Sequence, residues 1–323
     1  MKKKFKFLLS AVLSVSMMMQ SAAFAEGFSD MPDNWTTKAL ENAVANGLLN
    51  GADGKIMPDD NIKRSEMAAI IVRAFGASVE ADISMYPDMS KDKWYYSEFA
   101  KAVKMGAFSG TDDGKLNPEA PITYEECFTV ISRIFCLVQG DVTNPEKYKN
   151  IDASVLNSYS DNANIAEWAK PYVSLVVGQG YWNGYQNKLK PQDKYITRSE
   201  FAVLMDNLIK TYINEPGEYT EFTDGNILIR SEGVSINGYN GDDLIIVGDG
   251  VSGEINLNSV VSTNEIISRG GKTIVKGTMN DASVVGEGTE FDINGVEKRD
   301  GIIYIAKGAN VIWDNISFVP SVQ

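Results

Sequence analysis

Histidine is absent from all 323 residues, which removes the commonest general base and the commonest metal ligand. Cysteine is nearly absent too, with only Cys127 and Cys136 in the chain. The two stand nine residues apart on one predicted helix, about 13 Å along its axis and facing different ways, so a bridge between them would break that helix. Both read as small buried apolar residues. Beyond the first 25 residues no apolar run approaches the ~18 residues of a membrane span. Positive charge is scarce: 30 Lys and Arg face 43 Asp and Glu, a formal net charge of −13. Such a surface repels phosphate backbones and argues against nucleic acid as a partner. An anionic ligand would have to be caught locally, by one or two well-placed cations.

The first 25 residues read as an export signal, with a basic start (MKKKFK), a short apolar stretch (FLLSAVLSVSMMM) and the small-x-small site Ala23-Phe24-Ala25. The exported chain is then expected to begin at Glu26. No cysteine follows that site to carry a lipid, so a protein retained at the cell would be held by folded contacts.

What the sequence does contain is repetition. FSDMPDNW (from Phe28), YPDMSKDKW (from Tyr86) and YSDNANIAEW (from Tyr159) each give an aromatic residue, then Asp30, Asp88 or Asp161, then Trp35, Trp94 or Trp168. A glycine follows each Trp by 12 residues (Gly47, Gly106, Gly180) and another by four more (Gly51, Gly110, Gly184). Then comes an octet: NIKRSEMA from Asn61, PITYEECF from Pro121, YITRSEFA from Tyr195. Between Trp and the first glycine, apolar residues such as Ala39, Leu40, Ala43 and Val44 recur at helical spacing, and the glycine is expected to cap that helix. A second helix starts at each octet, so the unit is helix, loop, helix.

From about Phe28 to Ile213 the chain resembles three tandem S-layer homology repeats, on the aromatic-x-Asp opening, the Trp, the Gly-x-x-x-Gly loop and the octet. The resemblance implies that the repeats wrap into one pseudo-threefold helical domain. It also implies grooves between neighbouring repeats that bind pyruvylated secondary cell-wall polysaccharide, in association with peptidoglycan.

Within the octets, Thr197 with Glu200, and Thr123 with Glu126, read as capping boxes. Lys63 with Glu66 keeps the glutamate without the hydroxyl, a weaker cap by about 1 kcal/mol. Capping does not require Arg64 or Arg198, and a cation is unfavourable in a first helical turn. A guanidinium beside freed helix N–H groups would make a carboxylate trap, and by resemblance this arginine grips the acidic group of the polymer. The second repeat has Tyr124 and Glu125 instead, so the groove relying on Tyr124 is expected to bind weakly or differently. The three tryptophans read equally as sugar platforms or packing anchors. The three aspartates read as caps of the first helices or as acceptors for sugar hydroxyls. The first glycines read as turn makers, and by resemblance also allow close approach of ligand.

After Pro216 helical periodicity stops. Short apolar segments recur every 17 to 21 residues at Ile227, Leu244, Glu265, Ser283 and Ile302, and a second series keeps step at Val234, Ile255, Thr273, Phe291 and Val311. Two strand series in register describe roughly five rungs of a β-solenoid, with a sandwich of the same ten strands as the alternative. The segment resembles the right-handed β-helix repeats found beside S-layer homology repeats. Asp242, Asp243 and Asp249 read as turn residues, with no Lys or Arg constellation beside them.

The expected architecture is multidomain: an all-α helix-loop-helix part followed by an all-β solenoid, a short parallel β-helix. The boundaries are a signal at 1–25, repeats at 26–80, 81–140 and 141–216 (the last with a preceding loop), and a solenoid at 217–323. The expected function is non-catalytic anchoring at the bacterial cell surface, without cofactor or metal. The solenoid is expected to face outward as a spacer, a binding platform or a surface for self-association. The alternatives are a tethered polysaccharide-active enzyme and an S-layer lattice subunit.

Overall fold

The computed structural model describes residues 27–137, 151–190, 194–261, 264–299 and 301–314. The expected export signal and residues 141–150 of the expected loop lie outside the described residues. Each repeat supplies two helices: α1 (Thr37–Ala45) and α2 (Arg64–Phe75), α3 (Tyr96–Lys104) and α4 (Tyr124–Ile134), α5 (Lys170–Gly178) and α6 (Arg198–Leu208). The first glycines end the first helices as expected, with φ of +68° at Gly47, +80° at Gly106 and +73° at Gly180. The Gly47 N–H reaches Val44 O at 2.9 Å and the Leu48 N–H reaches Ala43 O at 2.8 Å, and both other repeats repeat the pair. This Schellman arrangement needs a left-handed residue, which glycine supplies without a Cβ penalty.

The octets meet at the centre of the helical domain. Ile62 donates its N–H to Ile196 O (3.0 Å), Ile196 to Ile122 O (3.3 Å) and Ile122 to Ile62 O (2.9 Å), a closed ring of three backbone bonds. All three isoleucine side chains are fully buried there. Around this ring α3 packs on α2, α5 on α4 and α1 on α6, so each first helix leans on the second helix of the preceding repeat and the last pair closes the circle. The helices run in one sense. Their N-termini surround the isoleucine ring, and Phe75 and Phe135 meet at the opposite end with ring centroids 5.4 Å apart. Cys127 and Cys136 are free and buried in this core; burial pushes the Cys136 thiol up to about 12, so it stays protonated.

Among the described residues twelve strands follow: β1 (Thr211–Ile213), β2 (Gly217–Tyr219), β3 (Ile227–Ile229), β4 (Val234–Asn237), β5 (Ile245–Val247), β6 (Glu254–Val260), β7 (Glu265–Ser268), β8 (Lys272–Met279), β9 (Asp281–Val284), β10 (Glu290–Arg299), β11 (Ile303–Ile305) and β12 (Asn310–Ile312). The odd strands stack in chain order into one parallel sheet and the even strands into another. Parallel pairing decides for the solenoid over the sandwich, whose neighbouring strands would run antiparallel. All ten expected strands are present, and β1 and β2 add a rung, of which β1 lies ahead of the boundary expected at 217. Inside, Ile227, Ile245, Ile266, Ala282 and Ile303 line up in register as one buried column.

The solenoid is docked on the helical domain through its odd sheet. Tyr212, Leu228, Ile246, Ile267, Ser283 and Tyr304 form the opposite column of the odd sheet. Leu228, Ile246 and Ile267 belong to the same buried cluster as the helices. The odd sheet is therefore covered on both faces, which explains why its strands are apolar at consecutive positions instead of alternating. The even strands alternate, as Val234 to Asn237 do, because only one of their faces is buried.

The docked sheet also supplies what the helix C-termini lack. The last carbonyls of a helix have no partner within it, and here solenoid donors reach them. Arg230 Nη1 donates to Asn46 O beyond α1 (2.9 Å), Asn226 Nδ2 to Leu208 O of α6 (2.8 Å) and Arg269 Nη2 to Met105 O beyond α3 (2.9 Å). Arg269 Nη1 also reaches Ile134 O of α4 (3.4 Å), and the Gly250 N–H donates to Phe75 O of α2 (2.9 Å). At this last contact a Cβ on Gly250 would stand 2.3 Å from Gly76 O. Gly250→Ala is accordingly expected to cost about 1–3 kcal/mol through overpacking, read as a lowered urea midpoint; an unchanged midpoint would show that the contact yields freely.

Candidate functional site

The octets carry the capping boxes expected of them. Thr197 N–H donates to Glu200 Oε2 (2.9 Å) while Glu200 N–H donates to Thr197 Oγ1 (3.2 Å), and Thr123 with Glu126 does the same at 3.0 and 3.2 Å. Lys63 retains only half of the box, its N–H donating to Glu66 Oε2 at 2.9 Å.

The arginines are placed differently from expectation. The helix N–H groups beside them are already taken by the neighbouring repeat: Arg64 and Ser65 donate to Ala120 O and Pro118 O, and Arg198 and Ser199 to Asp60 O and Pro58 O. The guanidinium groups are buried and paired. Arg64 lies over the Phe108 ring (5.3 Å), donates through Nε to Leu116 O (2.9 Å) and pairs through Nη1 with Glu126 (2.9 Å). Arg198 donates to Ile56 O (2.9 Å) and Asn50 O (3.3 Å) and pairs with Glu66 (3.5 Å). Burial pulls the Arg64 pKa below its ordinary value, opposed by Glu126 and Asp88. Each arginine thus fastens its own repeat to the loop and capping glutamate of the next. Those two glutamate side chains remain 30% exposed, so both pairs open to solvent on the carboxylate side.

The remaining interface is built on other residues. Tyr124 is buried against Trp182, with centroids 5.8 Å apart, and Phe128 completes the cluster. Lys190 pairs with Glu125 and donates to Asn164 O (3.2 Å). The cation therefore enters from the facing loop, at the position Met57 and Asn117 hold in the other repeats. Sequence reasoning missed Lys190; the signal was the glutamate at 125 where the other octets have Ser65 and Ser199. Glu200, the capping glutamate here, is fully buried, and its Oε1 has no hydrogen-bond donor among the described residues.

The aspartates do not cap the first helices. Asp30 accepts the N–H groups of Ile56 and Met57 (2.7 and 2.8 Å), Asp88 those of Leu116 and Asn117 (3.2 and 2.6 Å), and Asp161 those of Leu189 and Lys190 (both 2.9 Å). Each clamps the strand-like segment that leads into the second helix. Desolvation pushes the Asp30 carboxyl up, but the two N–H donors prevail and hold it below the usual carboxylate value.

The tryptophans are not packing anchors: Trp35 is 51%, Trp94 59% and Trp168 55% exposed. The opening aromatics pack instead, since a Cβ on Gly51 would meet Phe28 at 2.0 Å and one on Gly110 would meet Tyr86 at 2.7 Å. A Cβ on Gly47, Gly106 or Gly180 would meet nothing within 4 Å, so their left-handed backbone is what requires glycine. These glycines follow the C-termini of the first helices and the tryptophans precede the N-termini, so about 14 Å of helix separates the two sets. The arrangement presents tryptophans and the exposed glutamates around the isoleucine ring, at the end away from the solenoid. In the solenoid, Asp249 is more than a turn residue: it pairs with the buried Arg269 at 2.7 Å.

The family model "S-layer homology domain" matches residues 27–68, 86–126 and 158–202. The chain is 27% identical over 205 residues to the Surface-layer 125 kDa protein of Lysinibacillus sphaericus, covering 62% of this chain and 16% of that protein. It is 27% identical to Exoglucanase XynX of Acetivibrio thermocellus (57% and 16%) and 26% identical to the Cellulosome-anchoring protein of that organism (55% and 38%). The chain thus spans well under half the length of these relatives, whose names cover both enzymes and surface proteins. Given the three matched segments, the closed ring of octets and the strands stacked after them, the chain carries three tandem S-layer homology domains followed by a parallel β-solenoid.

Proposed function

We propose that this is a non-catalytic protein of the bacterial cell surface, exported by its N-terminal signal and held without covalent linkage to secondary cell-wall polysaccharide. The observation that carries the reading is the set of three exposed tryptophans, repeated at one end of the ring of S-layer homology domains. An indole face suits the apolar face of a pyranose. The grooves between repeats 1 and 2 and between repeats 3 and 1 are the binding grooves. Arg64 and Arg198 supply charge there, and Glu126 and Glu66 offer exposed acceptors for sugar hydroxyls. A guanidinium has five N–H donors; Leu116 O and Glu126 each take one from Arg64. The acidic group of a pyruvylated sugar shares this fork with the glutamate. The interface at Tyr124 is closed by its aromatic cluster and binds weakly.

The test is co-sedimentation with sacculi before and after their secondary polymer is stripped. Binding to intact walls and loss of about tenfold or more on stripped walls is expected, with a comparable loss in the Arg64→Ala, Arg198→Ala double variant. Equal binding to both kinds of wall would overturn the ligand. New reducing ends or unsaturated products from acidic polysaccharides would overturn the non-catalytic reading.

A further inference from the structure

We propose that Trp35 and Tyr185, stacked on one another, form a sugar-stacking subsite, found among the described residues at the junction of repeats 1 and 3, that recognises the apolar face of a neutral pyranose unit. The inference rests on the polysaccharide-anchoring reading above and deepens it, by assigning one groove a ligand-facing platform that the other two lack. The two rings come from different repeats, yet their centroids are 6.0 Å apart and their planes differ by 9°. Both stay open to solvent, Trp35 as noted and Tyr185 at 47%. The pair is offset-stacked, so each ring covers part of one face of the other and braces it, while the remaining apolar surface of both stays open to solvent.

Both rings are held in place by local bonding. Asn34 Oδ1 accepts from the N–H and the hydroxyl of Thr36 (both 2.8 Å), and Thr37 Oγ1 donates to Pro32 O (2.6 Å), which fixes the turn carrying Trp35. Tyr185 opens a two-residue turn in which its N–H donates to Lys188 O (2.9 Å) and the Lys188 N–H donates back to Tyr185 O (3.0 Å). The central residues, Gln186 and Asn187, have φ of +48° and +61°, the geometry of a tight type I′ hairpin. A platform fixed before the ligand arrives loses little entropy on binding, so more of the stacking free energy appears as affinity.

The corresponding positions show why this groove differs. In the first repeat the same hairpin, with Asp53 and Gly54 at positive φ, is opened by Ala52, and in the second repeat Thr111 stands there. By the cyclic arrangement of helices these turns face Trp94 and Trp168, and neither carries a ring. Arg198 begins α6, the helix on which α1 packs, so the platform and the Arg198–Glu66 pair lie at the same junction.

The test uses the full chain and two probes: polymer released from sacculi, and the same polymer after mild acid has removed its acidic substituents. Titration followed by tryptophan fluorescence gives the affinities. Tyr185→Ala is expected to weaken binding to both probes by roughly tenfold, Tyr185→Phe to preserve it, and Ala52→Tyr to strengthen it. Tyr185→Ala within about twofold of the unaltered protein on both probes, while Arg198→Ala abolishes binding, would overturn the subsite and leave the anchoring reading standing. A loss confined to the acidic probe would overturn the neutral-sugar assignment. If the unaltered protein binds neither probe, both the subsite and the anchoring reading fall.

Discussion

Replacing Arg269 with alanine is expected to lower the unfolding free energy by about 3 kcal/mol, at the lower end of what breaking a buried ion pair costs. The lower end applies because Asp249, left behind, keeps 17% side-chain exposure and can regain some water. Arg269 does several things at once: it forks onto Asp249 through Nε (2.7 Å) and Nη2 (3.4 Å), lies over the Phe75 ring at 5.5 Å, and reaches the C-terminal carbonyls of two helices. Its positive charge also sits where helix dipoles are negative. Lysine cannot form the fork, so Arg269→Lys should recover only part of the loss. Urea unfolding followed by circular dichroism measures the change, and hydrogen exchange at the amides after α3 and α4 locates it. An unchanged midpoint with unchanged protection would show that the solenoid docks by its apolar column alone.

Trp182→Ala is expected to cost about 3–5 kcal/mol, the usual range for deleting a large buried aromatic. The indole is buried between Tyr124 and Phe128, and its Nε1–H donates to Leu189 O at 2.9 Å. The cavity would open beside Tyr124 and Phe128 and loosen the one interface that lacks an arginine. A drop of less than about 1 kcal/mol in a chemical denaturation series would mean that the cluster is not what seals this junction.

Much of the helical domain was legible because each element rests on local chemistry. The left-handed glycines, the capping boxes and the missing hydroxyl at Lys63 all follow from residues within a few positions of one another. The roles of Arg64, Arg198 and the three aspartates were not legible in the same way. Their partners lie on another repeat or on a distant loop of the same one, and a sequence motif records the residue without its partner. The odd strands did contain a readable sign of docking: ILI and LIIV are apolar at every position, as strands covered on both faces must be.

By itself the sequence determined the repeat count, the helix ends, the strand positions and the lack of histidine, because these depend on local spacing and residue chemistry. Only the tertiary structure decided how the pieces are used. Closing three repeats into a ring buries the arginines behind glutamates and leaves the tryptophans outside. Stacking the strands in parallel creates a two-faced sheet, whose second apolar face must be covered and finds the helix C-termini. Those outcomes depend on which distant residues meet, and that is set by packing.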